Sequence, residues 1–159
     1  MNMSLEIRSE SEELGLQVES DEAGHGVQIV TFSLNGVRFA VPMAAVQEIV
    51  RVPDTVRVPL ASNYLSGLAN LRGRVLPIFQ SRSMMGMPPV DADEASRVLV
   101  LRLSSPVGLV VDHVHSVMNV TEDQLDELNS EEHLEYTEWI SAMVRHESGL
   151  ILVLDVNKL

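Results

Sequence analysis

Apolar and polar residues alternate with a period of two along most of this chain, in short runs broken by Gly, Pro and Asn. From Val27 to Leu34 both alternating faces carry apolar residues, the pattern of a strand partly buried on each side. Asn35-Gly36 follows, a corner dipeptide suited to a two-residue hairpin loop. Val37 to Val41 then returns antiparallel. Pro42 stops that strand and suits the first turn of a short helix through Met43-Ala44-Ala45. Val46 to Val52 predicts a third strand, with Val46, Glu48 and Val50 on one face and Gln47, Ile49 and Arg51 on the other. Leu68 to Leu71 and Val75 to Phe79 form a second hairpin around Arg72-Gly73, which places Arg72 at the tip with its guanidinium in water. Pro77 cannot donate to a ladder, so that strand needs an edge, an end or a bulge there.

The second half repeats the theme. Ser81 to Val90, rich in Met and containing Gly86 and Pro88-Pro89, predicts a helical turn and a connection. Arg97 to Leu103, Val107 to Asp112 and His113 to Val120 read as strands, the last with Val114, Met118 and Val120 on one face and Val117 opposite. Thr121-Glu122-Asp123-Gln124 is a helix start, with Thr as cap, acids in the first turn and Gln completing a capping box. Asn129 to Glu138 is too acidic to pack and reads as a loop. Trp139 to Arg145 and Leu150 to Asp155 are two final strands. About ten short strands and three short helices make the chain all-β, and periodicity leaves a sandwich and small barrels both open. Residues 1–26 hold seven Asp/Glu against Arg8 alone, which reads as an acidic, disordered N-terminal tail before one domain at 27–159.

Composition narrows the function. Hydrophobic residues make up 45% of the 159 residues but aromatics only 4%, so the core is aliphatic and base-stacking platforms for single-stranded nucleic acid are not supplied. A net charge of −12 repels phosphate polyanions. The charge is uneven, however. Between Val27 and Pro88, Arg38, Arg51, Arg57, Arg72, Arg74 and Arg82 face only Glu48 and Asp54. That block either forms a basic patch for an acidic partner or is dispersed around the fold. With no Cys, disulfides and thiolate metal sites are excluded. Neither a basic-then-apolar leader nor a membrane-length apolar run is present, which predicts a cytoplasmic protein with no direct membrane insertion.

Candidate chemistry is sparse. His113 and His115 would share a strand face and could offer two imidazoles to zinc, but no third ligand is evident, and two half-exposed strand histidines is the preferred reading. No Gly-x-Ser-x-Gly, Walker loop or Gly-x-Gly-x-x-Gly occurs. Asp112 and Asp155 each end an apolar run, where capping a turn is preferred over a catalytic pair. Met84, Met85 and Met87 suit either gap-filling, which is preferred, or an adaptable binding surface. The expectation is a non-enzyme with no metal and no cofactor.

One stretch carries more. Tyr64 to Phe79 contains Asn70-Leu71-Arg72-Gly73, and around it stand Phe39-Ala40-Val41-Pro42, Val46-Gln47-Glu48-Ile49, Val58-Pro59, Gly108 to Asp112 and Leu152 to Asp155. In this order the motifs resemble the CheW family of chemosensory adaptors, from roughly Val27 to Leu159. The resemblance implies two five-stranded β-barrels packed side by side around a shared aliphatic core, with a few short helices. It implies a cytoplasmic, non-enzymatic adaptor, recruited to membrane-associated arrays through its partners. Those partners would be the cytoplasmic tip of a chemoreceptor (a methyl-accepting chemotaxis protein) and the regulatory domain of the histidine kinase CheA. Receptor contact is implied for Val46, Glu48, Ile49, Gly67, Arg72 and Val117, whereas kinase-contact residues are not assigned. The chain departs from the family pattern at Gln80-Ser81 before Arg82 and at Ser141-Ala142 after Trp139-Ile140. The alternative is therefore a divergent scaffold with an altered kinase interface, acting as an array spacer or inhibitor or in a non-flagellar pathway.

Overall fold

A computed structural model describes residues 17–19, 26–127, 137–147 and 149–159. Within them lie twelve strands: β1 (Gln17–Glu19), β2 (Val27–Leu34), β3 (Val37–Pro42), β4 (Val46–Arg51), β5 (Leu65–Leu71), β6 (Arg74–Gln80), β7 (Arg97–Leu101), β8 (Val107–Val111), β9 (His113–Val120), β10 (Leu125–Glu127), β11 (Ile140–His146) and β12 (Gly149–Leu154). A four-residue α-helix, α1 (Ser81–Met84), follows β6, and single 3-10 turns occur at Met43–Ala45, Glu122–Gln124, Thr137–Trp139 and Val156–Lys158. The all-β expectation holds. Ten of the strands match the predicted runs within a few residues. Trp139 belongs to the turn before β11 rather than to the strand, and β5 begins at Leu65, ahead of the apolar run at Leu68. The expected loop at Asn129 to Glu138 lies outside the described residues except for its last two positions.

The strands form a seven-stranded sheet, β1-β9-β2-β3-β12-β11-β10, and a five-stranded sheet, β4-β7-β8-β6-β5. The first contains five long strands with a three-residue strand added at each edge. One of those, β1, lies in the stretch read as a tail and pairs in parallel with β9, Gln17 opposite Ser116 to Glu19 opposite Met118. The rest of 1–25 lies outside the described residues.

Three apolar clusters explain why the strands are hydrophobic on both faces. Ile29, Ala40, Met118, Val120, Val144, Ile151 and Val153 form a cluster drawn entirely from the seven-stranded sheet. Ala69, Leu76, Ile78, Val98, Val100 and Val110 do the same within the five-stranded sheet. One face of a sheet can pack on itself only if the sheet curls. The opposite faces meet in a third, shared cluster. It holds Phe32, Phe39, Val117 and Leu152 from one sheet, Val46, Leu99, Leu109 and Val111 from the other, and Met84, Met85 and Met87 from the α1 region. The methionines are buried and fill gaps between the sheets.

Two bulges correct the predicted faces. On β4 the register skips between Val46 and Glu48. The extra residue, Gln47, turns Val46 and Ile49 together toward the shared core, while Val50 packs on the cluster inside the five-stranded sheet. On β9 the register shifts opposite Thr31 and Phe32, so Val114 joins Val117 in the shared core rather than Met118 and Val120.

The sheets are also tied by charge. Arg82 of α1 donates from Nε to both carboxylate oxygens of Asp112, at 2.9 and 3.1 Å, and from Nη2 to Oδ2 at 2.5 Å. Asp112 sits between β8 and β9, and its Oδ2 also accepts the Asn35 N–H of the β2–β3 corner at 2.8 Å. Sequence reading made Asp112 a local turn cap. Instead it fastens a distant corner and an ion pair. Asp155 does cap locally, accepting the Asn157 N–H at 3.1 Å. Elsewhere the Tyr64 and Trp139 rings meet edge to face at 5.8 Å, linking the approach to β5 with the turn before β11.

Hydrogen bonding from Arg82 is the main cause that holds the Asp112 carboxyl below its usual pKa; burial opposes it and the Asn35 N–H adds to it. A carboxylate so lowered stabilises the fold above its unfolded pKa, near 4, and the contribution disappears as pH falls through the lower folded value. Asp112→Asn is therefore expected to cost about 2 kcal/mol at pH 7, by the loss of charge-assisted hydrogen bonds. The gap from the parent should narrow as pH falls below about 4 and close only beneath the lowered folded pKa, measured by urea denaturation across pH. Ser81 is fully buried, and its Oγ has no hydrogen-bond partner among the described residues. Ser81→Ala is expected to raise stability by about 1 kcal/mol in the same assay, by removing an unpaired hydroxyl.

Candidate docking surface

The β5–β6 hairpin turns through Arg72 at φ 53° and Gly73 at φ 81°, both left-handed. The β2–β3 hairpin repeats this geometry at Asn35, φ 51°, and Gly36, φ 80°. Such primed turns match the twist of the strands they join, and Asn and Gly enter them at little cost. Arg does not. A β-carbon in the left-handed region costs about 1–2 kcal/mol, so Arg72 is held against its preference. The Gly73 N–H donates to Asn70 Oδ1 at 3.1 Å and closes the turn from within.

At this tip Arg72 Nη2 stands 2.7 Å from Glu48 Oε1, with the Arg72 side chain 77% exposed and that of Glu48 19% exposed. The guanidinium therefore faces water, as predicted, and is also tethered across a gap to edge strand β4. The bulge at Gln47 is what aims Glu48 this way. Beneath the pair lies a cleft of about 330 Å³ lined by Glu48, Arg72, Arg74, Val75, Val100 and Pro106. It offers two guanidinia, one carboxylate already engaged and an exposed valine. A partner carboxylate beside an aliphatic side chain matches that chemistry, and guanidinium forks bind carboxylates in two-pronged fashion.

The remaining residues implied by the resemblance are placed differently. Val46 is buried and Ile49 half-buried, both packed on the shared core. Gly67 is buried under the loop that precedes β5. A β-carbon there would fall 2.6 Å from the Val56 carbonyl oxygen and 3.0 Å from Thr55 Cβ. Val56 and Leu68 exchange two hydrogen bonds of 2.8 Å across that contact. Gly67 is thus the seat of a loop. Val117 is 0% exposed and points into the shared core of the two sheets. Glu48 and Arg72 are brought together, Val46 and Ile49 lie on the same strand as Glu48, and Gly67 and Val117 offer no side chain to a partner.

The loop seated on Gly67 escaped the sequence reading beyond its prolines. It exposes Val56, Val58 and Leu60, the last in a left-handed conformation at φ 62°. Val58 and Leu60, together with Arg57, Pro59 and Leu65, line a second cleft of about 470 Å³. Aliphatic residues flanking Pro59 were the available signal.

The basic block is dispersed. Arg82 is spent on Asp112, Arg72 and Arg74 share the first cleft, Arg57 lines the second, and Arg38 lies near His115 on the other sheet. The His113 and His115 rings stand 4.5 Å apart, and His115 Nε2 is 3.1 Å from Ser33 Oγ. Burial chiefly lowers the His115 pKa, with Arg38 and His113 adding to the effect. Among the described residues no three His, Asp or Glu side chains gather as a metal site.

Comparison with known proteins matches a model of the CheW-like domain to residues 28–159. The chemotaxis protein CheW of Bacillus subtilis is 26% identical over 133 residues, covering 83% of this chain and 85% of that protein. CheW of Klebsiella aerogenes is 28% identical over 148 residues, 91% and 89% of the two chains. Protein PilI of Pseudomonas aeruginosa is 31% identical over 99 residues, 62% and 56% of the two. Among solved structures, the scaffolding protein TtCheW from Thermoanaerobacter tengcongensis shares the fold with a TM-score of 0.76 at 23% identity, covering 82% of this chain and 90% of that one. With its matched segment spanning both sheets and the Arg72 hairpin, the chain belongs to the CheW-like domain family.

Proposed function

We propose that this protein is a non-enzymatic chemosensory adaptor that couples the cytoplasmic tip of a chemoreceptor to the histidine kinase CheA. The observation that carries the reading is the Arg72–Glu48 pair. An exposed, permanently charged fork is fixed at a strained hairpin corner and steadied by a carboxylate from another strand. The turn itself gains nothing from an arginine, so what the residue contributes is the charge it presents outward. The CheW relatives supply the process. None of the described helices is long and apolar enough to cross a membrane, so a place in a membrane-associated array would come through the receptor.

The departures from the family pattern leave this surface untouched. Ser81 is buried, Ala142 packs partly buried on the cluster of the seven-stranded sheet, and Gln80 Nε2 reaches Ser66 Oγ at 3.4 Å. None of these three residues lines the Arg72–Glu48 cleft, and retention on CheA is what separates the coupling adaptor from a spacer or inhibitor with a lost kinase interface.

Arg72→Asn keeps the turn chemistry seen at Asn35-Gly36 and removes the fork. It is expected to weaken binding to the cytoplasmic fragment of the cognate receptor at least about tenfold, the scale of a lost charge-assisted contact. Its melting temperature should be unchanged or slightly higher, while retention on immobilised CheA regulatory domain is kept. Unchanged receptor affinity by titration calorimetry would remove Arg72 from the surface. Failure of the unmodified protein to retain CheA would favour the spacer reading.

A further inference from the structure

Three side chains that can carry positive charge meet at one corner of the seven-stranded sheet. Arg38 on β3 and His113 on β9 stand on either side of Ser33 on β2, each its antiparallel register partner. Directly opposed residues share a face, with β-carbons about 5 Å apart, so the three form a row across the strands. His115 joins them through the bulge. The register passes from Ser116 opposite Thr31 to Val114 opposite Phe32, and His115 is the extra residue. It falls on the face of Ser33, whose Oγ is 3.1 Å from His115 Nε2. The two imidazole rings then stand 4.5 Å apart. Phe32 and Val114 point the other way, into the shared core.

The surroundings leave this cluster uncompensated. Arg38 and both imidazoles make no ion pair among the described residues. Asp112, next to His113, is spent on Arg82 and the Asn35 N–H. β12, beside β3, carries no ionisable residue. On β1 the one ionisable residue, Glu19, lies opposite Met118, three positions along β9 from His115. Arg38, Ser33 and His115 are half-buried and His113 is exposed. Their charges are thus partly shielded from water yet open to a solute. In a chain of net charge −12, such a cluster does not follow from a generally basic surface.

The guanidinium decides which ligand fits. Two imidazoles alone suit a metal ion, but a fixed positive charge beside them repels one. An anion is attracted instead, and guanidinium, ring N–H and hydroxyl supply the donors that its oxygen atoms need. We propose that Arg38, His113, His115 and Ser33 form a binding site for a doubly charged tetrahedral oxyanion, of the phosphate class, that fills as the imidazoles gain protons. A neutral imidazole offers one N–H, whereas imidazolium offers two and a charge. Burial chiefly lowers the His115 pKa, and Arg38 and then His113 add to the effect. A bound anion offsets the last two causes and so raises that pKa. By reciprocity the protonated site binds the anion more tightly, and affinity grows as pH falls. The site is independent of the Arg72–Glu48 cleft, which lies on the other sheet.

The probe is sodium sulfate, which keeps its double charge across the imidazole range, so any pH dependence belongs to the protein. Sodium chloride at equal ionic strength is the reference. Titration of His115 in the full chain is followed by NMR, its ring resonance assigned by its loss in His115→Gln. In sulfate the His115 midpoint is expected to move to higher pH than in chloride. Sulfate is expected to bind at least about threefold more tightly at about pH 5.5 than at about pH 8. Inorganic phosphate should bind as well, and singly charged acetate more weakly than either. Arg38→Gln, its strands verified in the same spectra, is expected to lose the movement of the midpoint. A midpoint that is the same in sulfate and chloride, or that moves equally in Arg38→Gln, overturns the site. Sulfate binding without phosphate binding, or acetate binding as tightly as sulfate, overturns the assignment to the phosphate class.

Discussion

Two sheets that are apolar on both faces cannot each stand alone, because every strand then has twice the hydrophobic surface a single layer can hide. The chain meets this constraint by curling each sheet around its own cluster and pressing the outer faces together. Little but aliphatic carbon fills the seam, with Phe32 and Phe39 stacked 6.0 Å apart near its centre and three methionines closing irregular gaps. Packing of this kind is non-directional. Orientation of one sheet against the other comes instead from directional contacts at the rim: Arg82 on Asp112, Asp112 on Asn35, and Tyr64 on Trp139. The candidate docking surface depends on that arrangement because the strand that carries it is anchored in the seam. Ile49 and Val46 reach inward to the shared core, and the strand they fix carries Glu48 outward to Arg72.

Much of this was readable in the residues. Alternation located the strands because half-buried sheets impose a period of two, and the Asn35-Gly36 and Arg72-Gly73 corners both adopt the left-handed turn that their glycines announce. The Met cluster and the helix start at Thr121 were legible for the same reason, each being a local preference. The Thr121 N–H does donate to Gln124 Oε1 at 3.0 Å.

What escaped were relations between distant residues. A bulge adds one position to a strand without disturbing its hydrophobic count, so Gln47 and His115 gave no warning that Val46 and Val114 would change faces. The Arg82–Asp112 pair joins residues thirty apart in sequence, and nothing at either position names the other. β1 was unreadable because three residues in an acidic stretch carry no period at all; what determines their pairing is a vacant edge on β9. Gly67 shows the same limit at a residue that the resemblance singled out. Its motif marks it, but only the approach of Val56 explains why no side chain is tolerated there.

The way the two sheets divide the chain bears on how the molecule is made. Residues Val46 to Val111 supply every strand of the five-stranded sheet, a single uninterrupted stretch. The other sheet is assembled from both flanks of that stretch, with β3 paired in parallel to β12 through Phe39–Leu152 and Ala40–Val153. During synthesis the inner unit can therefore close while β2 still waits for β9, 80 to 93 residues downstream, and β3 for β12, 113 residues downstream. Until β12 emerges, the apolar faces of β2 and β3 are open to other chains, and distant pairings of this type close slowly. The interval before β12 emerges, which lasts almost to the end of the chain, is thus the stage at which this adaptor is most open to misassembly.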